Sequence, residues 1–280
     1  MFFDLHCDSL SACFSLNSPH IFSEKESKIL AIFCEDLPPA LREKEMEKQY
    51  EKLKTALLNQ TLTPYPNLGQ RRVILGMEGA SGIRNTSTLA LWQKRGLKIL
   101  SLCWKSNRLA SGWECKKDTG VSAEGVEFLN EMRRLCIVGD VSHLSKRSAM
   151  QTVEKAEKVM ATHSPFYTVF PHKRNLSQAV ADALYEKGGI VGITPYPPFL
   201  GGDMQAFLAH AEYGLRRYGK RFLAIGTDTD GTKGIFCKEL NIRRPLSPQL
   251  FQALENRFGI KTAIRICYEN AAEFFSEIFE

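Results

Sequence analysis

The chain opens with Phe2-Phe3-Asp4-Leu5-His6-Cys7-Asp8, a short apolar run that ends in His-x-Asp. Side chains two residues apart on an extended strand point the same way, so His6 and Asp8 could grip one metal ion. Alone the pair is a weak signal, because a His and an Asp at a strand end more often belong to a surface turn. Four later strand-like runs, however, end at residues of the same chemistry, namely Glu78, His143, His163 and Asp228. This recurrence predicts one site assembled from strand ends.

Short apolar runs recur along the chain and alternate with helical patterns. Pro38-Pro39 opens one predicted helix, Gly96 ends another and Ser122 caps a third. The apolar runs predict eight strands, near residues 2–8, 29–34, 73–77, 97–103, 136–141, 159–163, 190–194 and 222–227. Eight strands alternating with helices favour an α/β fold, a (β/α)8 TIM-type barrel in which residues 1–280 form a single catalytic domain.

The candidate ligands favour the barrel over an open doubly wound sheet. They fall at the ends of the first, third, fifth, sixth and eighth predicted strands, which an open sheet would spread along one edge. A closed barrel instead gathers the carboxyl ends of its strands around one axis, where barrel enzymes carry their chemistry. No G-x-G-x-x-G follows the first strand, so a dinucleotide-binding interpretation has no support in the sequence.

Composition excludes several classes of protein. With 44% hydrophobic and 24% charged residues in 280, the chain reads as a soluble globular protein. Its net charge of +6 is scattered among 31 acidic residues, which argues against a nucleic-acid partner. We expect no membrane association and a cytoplasmic location, because no signal peptide or long apolar run is present. The eight cysteines form no C-x-x-C pair and are expected to be reduced and mostly structural. The sequence leaves open whether the chain forms a homodimer.

The candidate ligands supply nitrogen and oxygen atoms without thiolate, the set expected for a catalytic zinc or a similar metal. Five ligands suggest two metal ions bridged by Glu78. The two ions would hold a hydroxide between them, and this hydroxide would be the nucleophile. The remaining histidines lie away from predicted strand ends and are interpreted as surface or supporting residues: His20, His172 and His210.

Several motifs, in this order, resemble the membrane (renal) dipeptidase family, here as a short bacterial-type member. The resemblance covers nearly the whole chain and rests on Asp4-x-His6-x-Asp8, Glu78-Gly79, Thr119-Gly120, Asp140-Val141-Ser142-His143, His163-Ser164, His172-x-Arg174-Asn175, Gly188-Gly189 and Gly226-Thr227-Asp228-x-Asp230-Gly231. It implies a binuclear zinc dipeptidase on a barrel of the metal-dependent amidohydrolase kind. In that family pattern His6 and Asp8 match the ligands of one zinc, His143 and His163 those of the other, and Glu78 the bridge.

The resemblance also implies roles for residues that face the substrate. Arg174 matches the residue that holds the substrate's carboxylate, and a guanidinium fork suits such a bidentate contact. Asp228 matches the residue that handles the proton, and a carboxylate beside two dications stays ionised and can accept it. Tyr196, just beyond the seventh strand, is a further candidate for contact with the substrate. Asp230 is assigned to the other face and to a structural role.

One position departs from the family pattern. Better-known members carry a histidine at the end of the fourth strand, thought to stabilise the oxyanion, where this chain has Trp104. The indole offers one neutral N–H donor, so Trp104 could still contact the substrate or simply line the rim. Loss of an oxyanion donor could slow peptide hydrolysis about 10²-fold or redirect the enzyme to another amide.

The leading hypothesis is therefore a zinc-dependent dipeptidase that acts on dipeptides, L-D dipeptides included. Two alternatives stay open. One is another binuclear-metal amidohydrolase acting on a different amide or a lactone, although such enzymes usually open with His-x-His where this chain has His6-Cys7-Asp8. The other is an inactive metal-binding homologue, which Trp104 favours and the intact ligand set disfavours.

Overall fold

A computed structural model of the chain describes residues 1–11, 26–67, 71–231 and 247–279. Across these ranges, eight parallel strands close into a barrel, because β2 pairs with both β1 and β4 and the ring continues in order from β4 to β9 and back to β1. The two-residue β3 lies beside β4 outside the ring. The strands are β1 (Phe2–Cys7), β2 (Glu26–Phe33), β3 (Thr63–Pro64), β4 (Arg71–Glu78), β5 (Leu97–Ser101), β6 (Val138–Asp140), β7 (Val159–Ala161), β8 (Ile190–Ile193) and β9 (Leu223–Ile225). The predicted barrel is confirmed.

Helices follow most strands and cover the outside of the barrel, as the alternating pattern predicts. Ser122, Ser145 and Ser177 each cap a helix by accepting a hydrogen bond from the backbone N–H three residues later. The helices are α1 (Pro39–Leu58), α2 (Thr86–Lys94), α3 (Ala123–Arg134), α4 (Lys146–Lys155), α5 (Gln178–Glu186), α6 (Pro197–Leu200), α7 (Met204–Tyr218), α8 (Ser247–Phe258), α9 (Ile260–Ile264) and α10 (Asn270–Phe279), with a π-helical segment at Arg265–Glu269.

The barrel interior is a packed apolar core. Each of the eight barrel strands contributes at least one buried side chain to it: Phe3 and Leu5 from β1, then Ile29, Ile74, Ile99, Val138, Met160, Ile190 and Ala224. The last helix, α10, packs against this layer, and its Phe275 stacks on Phe3 with ring centroids 5.2 Å apart. The barrel is thus filled below its carboxyl-terminal strand ends, and polar chemistry is confined to that upper face.

Two further expectations concern membrane association and the cysteines. No helix within them is long and apolar enough to cross a lipid bilayer. All six cysteines that the structure describes are free, and four of them are buried: Cys7, Cys34, Cys103 and Cys267. Cys13, Cys237 and His20 lie outside the described residues.

Candidate metal centre

The structure brings the five predicted ligands together at the carboxyl-terminal end of the barrel. His6 lies in β1 and Glu78 ends β4, while Asp8, His143 and His163 lie in the turns just after β1, β6 and β7. All five side chains are at least nine-tenths buried. Because the strands are parallel and the barrel is closed, residues up to 157 positions apart in the chain, from His6 to His163, meet around one axis.

Glu78 Oε1 occupies the middle of the group. It lies 2.9 Å from His143 Nε2, 3.2 Å from His163 Nε2 and 3.8 Å from His6 Nε2. His6 Nε2 is in turn 3.5 Å from Asp8 Oδ1. Three sets of possible ligand atoms occur in this cluster, and the atoms of each set lie within 4.8 Å of one another: Glu78 with His143 and His163, His6 with Asp8 and Asp228, and His6 with Asp140 and His163.

Unsatisfied polar atoms test whether these residues fit a metal. His6 Nε2, Asp8 Oδ1 and Glu78 Oε1 are buried and have no hydrogen-bond partner. Buried polar atoms in folded proteins are normally hydrogen-bonded, because an unpaired one costs the full desolvation penalty. The Asp8 and Glu78 oxygens lie 3.5 and 3.8 Å from His6 Nε2, and nitrogen and carboxylate atoms grouped in this way suit a borderline metal cation. The residues present fit a metal centre.

The electrostatics of the group lead to the same conclusion. Burial raises the pKa of Asp8, Glu78 and Asp228, and the neighbouring carboxylates add to the shift. Burial alone would lower the pKa of His6, but the carboxylates of Asp8 and Glu78 outweigh it and raise that pKa to about 10. Negative charge is thus crowded into a buried site, and a bound cation would neutralise it.

The other two histidines are held in the neutral form that metal ligation requires. Burial lowers the pKa of His143 and His163 well below its usual value, and the positive charges of Arg174 and His6 lower it further. Both Nε2 atoms keep a lone pair only in the tautomer whose proton resides on Nδ1, and of the two Nδ1 atoms only that of His163 has a hydrogen-bond partner among the described residues.

For His163, Asp140 decides that tautomer through Thr162. The Thr162 hydroxyl lies 2.6 Å from Asp140 Oδ2 and 2.8 Å from His163 Nδ1. Since a carboxylate only accepts, the hydroxyl donates its single proton to Asp140 and accepts a hydrogen bond from His163 Nδ1–H. The lone pair of His163 Nε2 then faces Glu78. Supporting hydrogen bonds of this kind orient metal-ligating histidines and fix their tautomer.

The same arrangement recurs at the β1 and β9 ends. Asp4 accepts hydrogen bonds from the Thr227 backbone N–H at 2.8 Å and from the Thr227 hydroxyl at 2.6 Å. Asp140 accepts the equivalent pair from Thr162 at 3.0 and 2.6 Å. In both cases an aspartate on one strand fixes the threonine that immediately precedes a site residue, Asp228 or His163.

The turn after β9 corrects the expectation that Asp230 lies on the other face. Asp228 and Asp230 both line the same cavity, together with Gly231. Both aspartates have positive φ values, 56° and 68°, so the alternation of an extended strand does not apply here. Asp228 N donates to His6 O at 3.0 Å, and Asp230 accepts from Ser9 Oγ at 2.6 Å. Gly231 allows the turn to close, because a Cβ there would collide with the carboxylates of Asp8 and Asp228.

A cavity of about 560 Å³ opens over the ligands. Of the predicted substrate-contacting residues, Trp104 and Tyr196 line it. The ring of Trp104 is centred 6.0 Å from that of His143. Burial raises the pKa of Tyr196, and the Asp228 charge contributes, which places its hydroxyl in the field of that carboxylate.

Arg174 does not line this cavity but lines a second one of about 320 Å³. It is 3% exposed, and its two terminal nitrogens donate to Ser164 Oγ at 2.7 Å and to His163 O at 3.1 Å. Its Nε is buried without a partner. The positive charge of Arg174 therefore lies next to the candidate metal site. Contact between Arg174 and a substrate stays a prediction.

Sequence reasoning missed several cavity residues, which lie in loops, on helices or at a strand end and belong to no recognisable motif. Of these, Phe33, the last residue of β2, carried a signal, since it lies next to the end of a predicted strand. The missed residues that line the cavity are Ser11, Phe33, Asp36, Leu37, Glu45, Gln49, Trp113 and Phe199.

Two of the remaining histidines, expected to be surface or supporting residues, lie in the described ranges, and neither belongs to a group of possible metal ligands. His172 is near the rim, with its ring 5.9 Å from that of Trp113 and 5.0 Å from that of Phe199. His210 is not a surface residue: it is fully buried in α7, and its Nδ1 accepts a hydrogen bond from Phe166 N at 3.1 Å. Burial lowers the pKa of His210 to about 4, which keeps it neutral as an acceptor. It supports packing and is not a ligand.

Known proteins resemble the chain in both sequence and fold. The dipeptidase tcpJ of Claviceps purpurea is 27% identical over 173 residues, 58% of this chain and 41% of that protein. An uncharacterized protein in the PQQ-III 3' region of Acinetobacter calcoaceticus is 30% identical over 52% of this chain and 51% of its own length. The chain thus spans about half the length of the curated relatives it matches.

Solved structures show the same fold over the whole chain. A metallo peptidase from Rhodobacter sphaeroides, solved with a phosphinate mimic of the dipeptide L-Ala-D-Ala, superposes with a TM-score of 0.83, covers 98% of each chain and is 18% identical. The probable dipeptidase PvdM from Pseudomonas aeruginosa also has a TM-score of 0.83, at 14% identity, and covers 99% of this chain and 95% of its own.

The sequence profile of one family matches residues 38–278, which is most of the chain. The stretch before it contains His6 and Asp8, the two candidate ligands at the end of β1 that belong to the cluster near Glu78. The resemblance found in the motifs is confirmed, and the chain belongs to the membrane dipeptidase family (Peptidase family M19).

Proposed function

We propose that the chain is a zinc-dependent dipeptidase, with residues 1–280 as one catalytic domain. The observation that carries the proposal is the buried cluster of ligand atoms around Glu78 Oε1, three of which lack any hydrogen-bond partner. Membership of the dipeptidase family and relatives named as dipeptidases support the substrate class. The nitrogen and oxygen donor set supports zinc.

Two zinc ions fit the ligand groups best. His6 and Asp8 would hold one ion, His143 and His163 the other, and Glu78 would contact both, since it lies between the two groups. Bound zinc would supply an activated water at neutral pH and would polarise the carbonyl of the scissile bond.

Asp228 is the group we assign to proton transfer. Its carboxylate lines the cavity next to Asp8 and Tyr196. Without metal, burial and the neighbouring Asp8 carboxylate raise its pKa, whereas bound zinc would favour the ionised form, which can accept a proton from the attacking water. It can then donate that proton to the nitrogen of the leaving amine, which restores the carboxylate.

Arg174 and Trp104 would orient the substrate. A guanidinium has five N–H donors, and two hydrogen bonds hold that of Arg174 among the described residues, so donors remain for a substrate's carboxylate. We place the carbonyl of the scissile bond toward Trp104, whose indole offers one neutral N–H donor near His143. A cytoplasmic location remains part of the proposal, supported by the free cysteines of the described ranges.

A dipeptide panel with zinc-loaded protein tests the function. L-L and L-D dipeptides should be hydrolysed, and Arg174→Ala should raise KM for them, with a loss of about 10²-fold in kcat/KM, because a charge-assisted contact to the free carboxylate is lost. The matching C-terminal amides should be affected little, because they offer the guanidinium no charge.

Lys173→Ala, at the exposed neighbouring position, is the control for the change of charge. If the zinc-loaded wild type cleaved none of the dipeptides, the proposed function would be wrong. An equal loss for amides and free acids in Arg174→Ala would contradict only the role of Arg174.

A further inference from the structure

The cavity over the metal ligands has a one-sided charge. Six carboxylate residues line it, and none of the lysines or arginines in the described ranges does, although the chain as a whole has a net charge of +6. Asp8, Glu78 and Asp228 belong to the metal centre, where bound cations would offset them. Three acidic residues lie outside that centre: Asp36, Glu45 and Asp230.

Aromatic side chains form the wall of the cavity beside two of these acids. Phe33 ends β2 and is paired in register with Glu78 at the end of β4. Its ring packs edge-on against Trp104 at 5.2 Å, and Trp104 in turn lies 6.0 Å from His143. We call Phe33 and Trp104 the aromatic wall. It runs from a metal ligand out to the rim.

A hydrogen-bonded glutamine fixes Glu45 next to the aromatic wall. Gln49 Nε2 donates to Phe33 O at 2.6 Å and to Glu45 Oε1 at 3.1 Å, and Gln49 Oε1 accepts from Phe33 N at 3.0 Å. Gln49 is buried, so this link is rigid. Lys48 approaches Glu45 at 3.3 Å, but its side chain is 76% exposed and such a pair is screened by water.

Asp36 lies three residues past Phe33 and is exposed at the rim of the same cavity. Carboxylates next to aromatic faces attract ammonium and guanidinium groups, by charge and by the ring quadrupole. The ring of Trp104 already has a cation, Lys105 Nζ, 4.6 Å from its centroid, and Lys105 does not line the cavity. Together, the aromatic wall and the carboxylates of Asp36 and Glu45 suit the binding of a positively charged side chain of a substrate.

The order of strands indicates which end of a dipeptide reaches this wall. In the ring β1-β2-β4-β5-β6-β7-β8-β9, β2 lies opposite β7. Arg174 is anchored to His163 and Ser164 just past β7, whereas Phe33 ends β2. A dipeptide with its carboxylate at Arg174 and its peptide bond over the metal ligands would extend its N-terminal residue toward the aromatic wall.

We propose that Phe33, Trp104, Asp36 and Glu45 form a subsite for a cationic side chain on the N-terminal residue, so that the enzyme prefers dipeptides that begin with lysine or arginine. This inference rests on the proposed dipeptidase function. It makes Asp36 and Glu45 residues that determine specificity, since neither is a metal ligand.

The test compares L-Lys-L-Ala with L-norleucyl-L-Ala, whose side chain has a similar length but no ammonium group. For the zinc-loaded wild type we expect kcat/KM to be at least about tenfold higher for the lysyl substrate. The double variant Asp36→Asn, Glu45→Gln should bring this ratio close to one. The matched control is Glu43→Gln, Glu47→Gln. It also removes two negative charges, but from residues of α1 that pair with Arg84 and Arg95.

A wild-type ratio of one or less would overturn the subsite, and so would an equal fall of the ratio in the control variant. If neither dipeptide is hydrolysed, the proposed function fails, and calorimetric binding of the same two dipeptides then decides the subsite. Tighter binding of L-Lys-L-Ala that disappears in Asp36→Asn, Glu45→Gln supports it. Equal binding of both dipeptides to the wild type overturns it.

Discussion

Asp140 acts on the metal centre through the proton of a neighbouring residue. In Asp140→Asn the new amide N–H₂ replaces Oδ2 and would donate to the Thr162 hydroxyl, which must then donate to His163 Nδ1. The proton of the imidazole would move to Nε2, and the lone pair for the metal would be lost. We expect zinc affinity at this position to fall about 10- to 100-fold.

Zinc competition with a chelating indicator measures this effect. Thr162→Ser keeps the hydroxyl and should retain wild-type affinity, and Asp182→Asn, at a surface ion pair, controls for the loss of one charge. Unchanged zinc affinity in Asp140→Asn would show that the hydrogen bond to Thr162 does not set the tautomer of His163.

At the scale of elements, α10 closes the barrel end that lies opposite the site. Phe275 is fully buried and stacks on Phe3 at an interplanar angle of 19°. Phe275→Ala should lower the free energy of unfolding by about 3–5 kcal/mol, because it removes a large ring from the packed layer and leaves a cavity. Urea denaturation measures the change. The neighbouring exposed Ser276→Ala should stay within about 0.5 kcal/mol, and an equal cost for both would contradict this account of the barrel end.

For the whole molecule, the metal centre ties β1, β4, β6 and β7 together from across the ring. Metal that binds only the folded state stabilises it by about 4 kcal/mol at a thousandfold excess over Kd. We therefore expect a chelator to lower Tm and added zinc to restore it, with about two zinc equivalents per chain by elemental analysis.

Glu78→Gln should reduce both equivalents, since Glu78 lies between the two ligand groups. Two retained equivalents in a His143→Ala, His163→Ala variant would contradict the assignment.

The sequence was sufficient to predict the barrel, and it pointed to the candidate ligands that the structure brings close together. Strand and helix periods are local properties, and each ligand stands at or just past the end of its own apolar run, as His6 and Glu78 do. The number of residues between such runs does not matter, because parallel strands in a closed ring bring their carboxyl ends together whatever lies between them. The roles of Asp228, Arg174, Trp104 and Tyr196 in catalysis stay predictions.

Only the tertiary structure decided how the site is supported and shaped. Asp4 and Thr227 are 223 residues apart, and Asp140 and Thr162 are 22 apart, so no local pattern pairs them. The position of Asp230 in the cavity depends on positive φ angles that a two-residue alternation cannot anticipate. The acidic cavity arises because strand ends, loops and helix α1 bring their carboxylates together, while no lysine or arginine in the described ranges lines it. Local pattern determined which residues stand at strand ends; long-range packing determined what each of them faces.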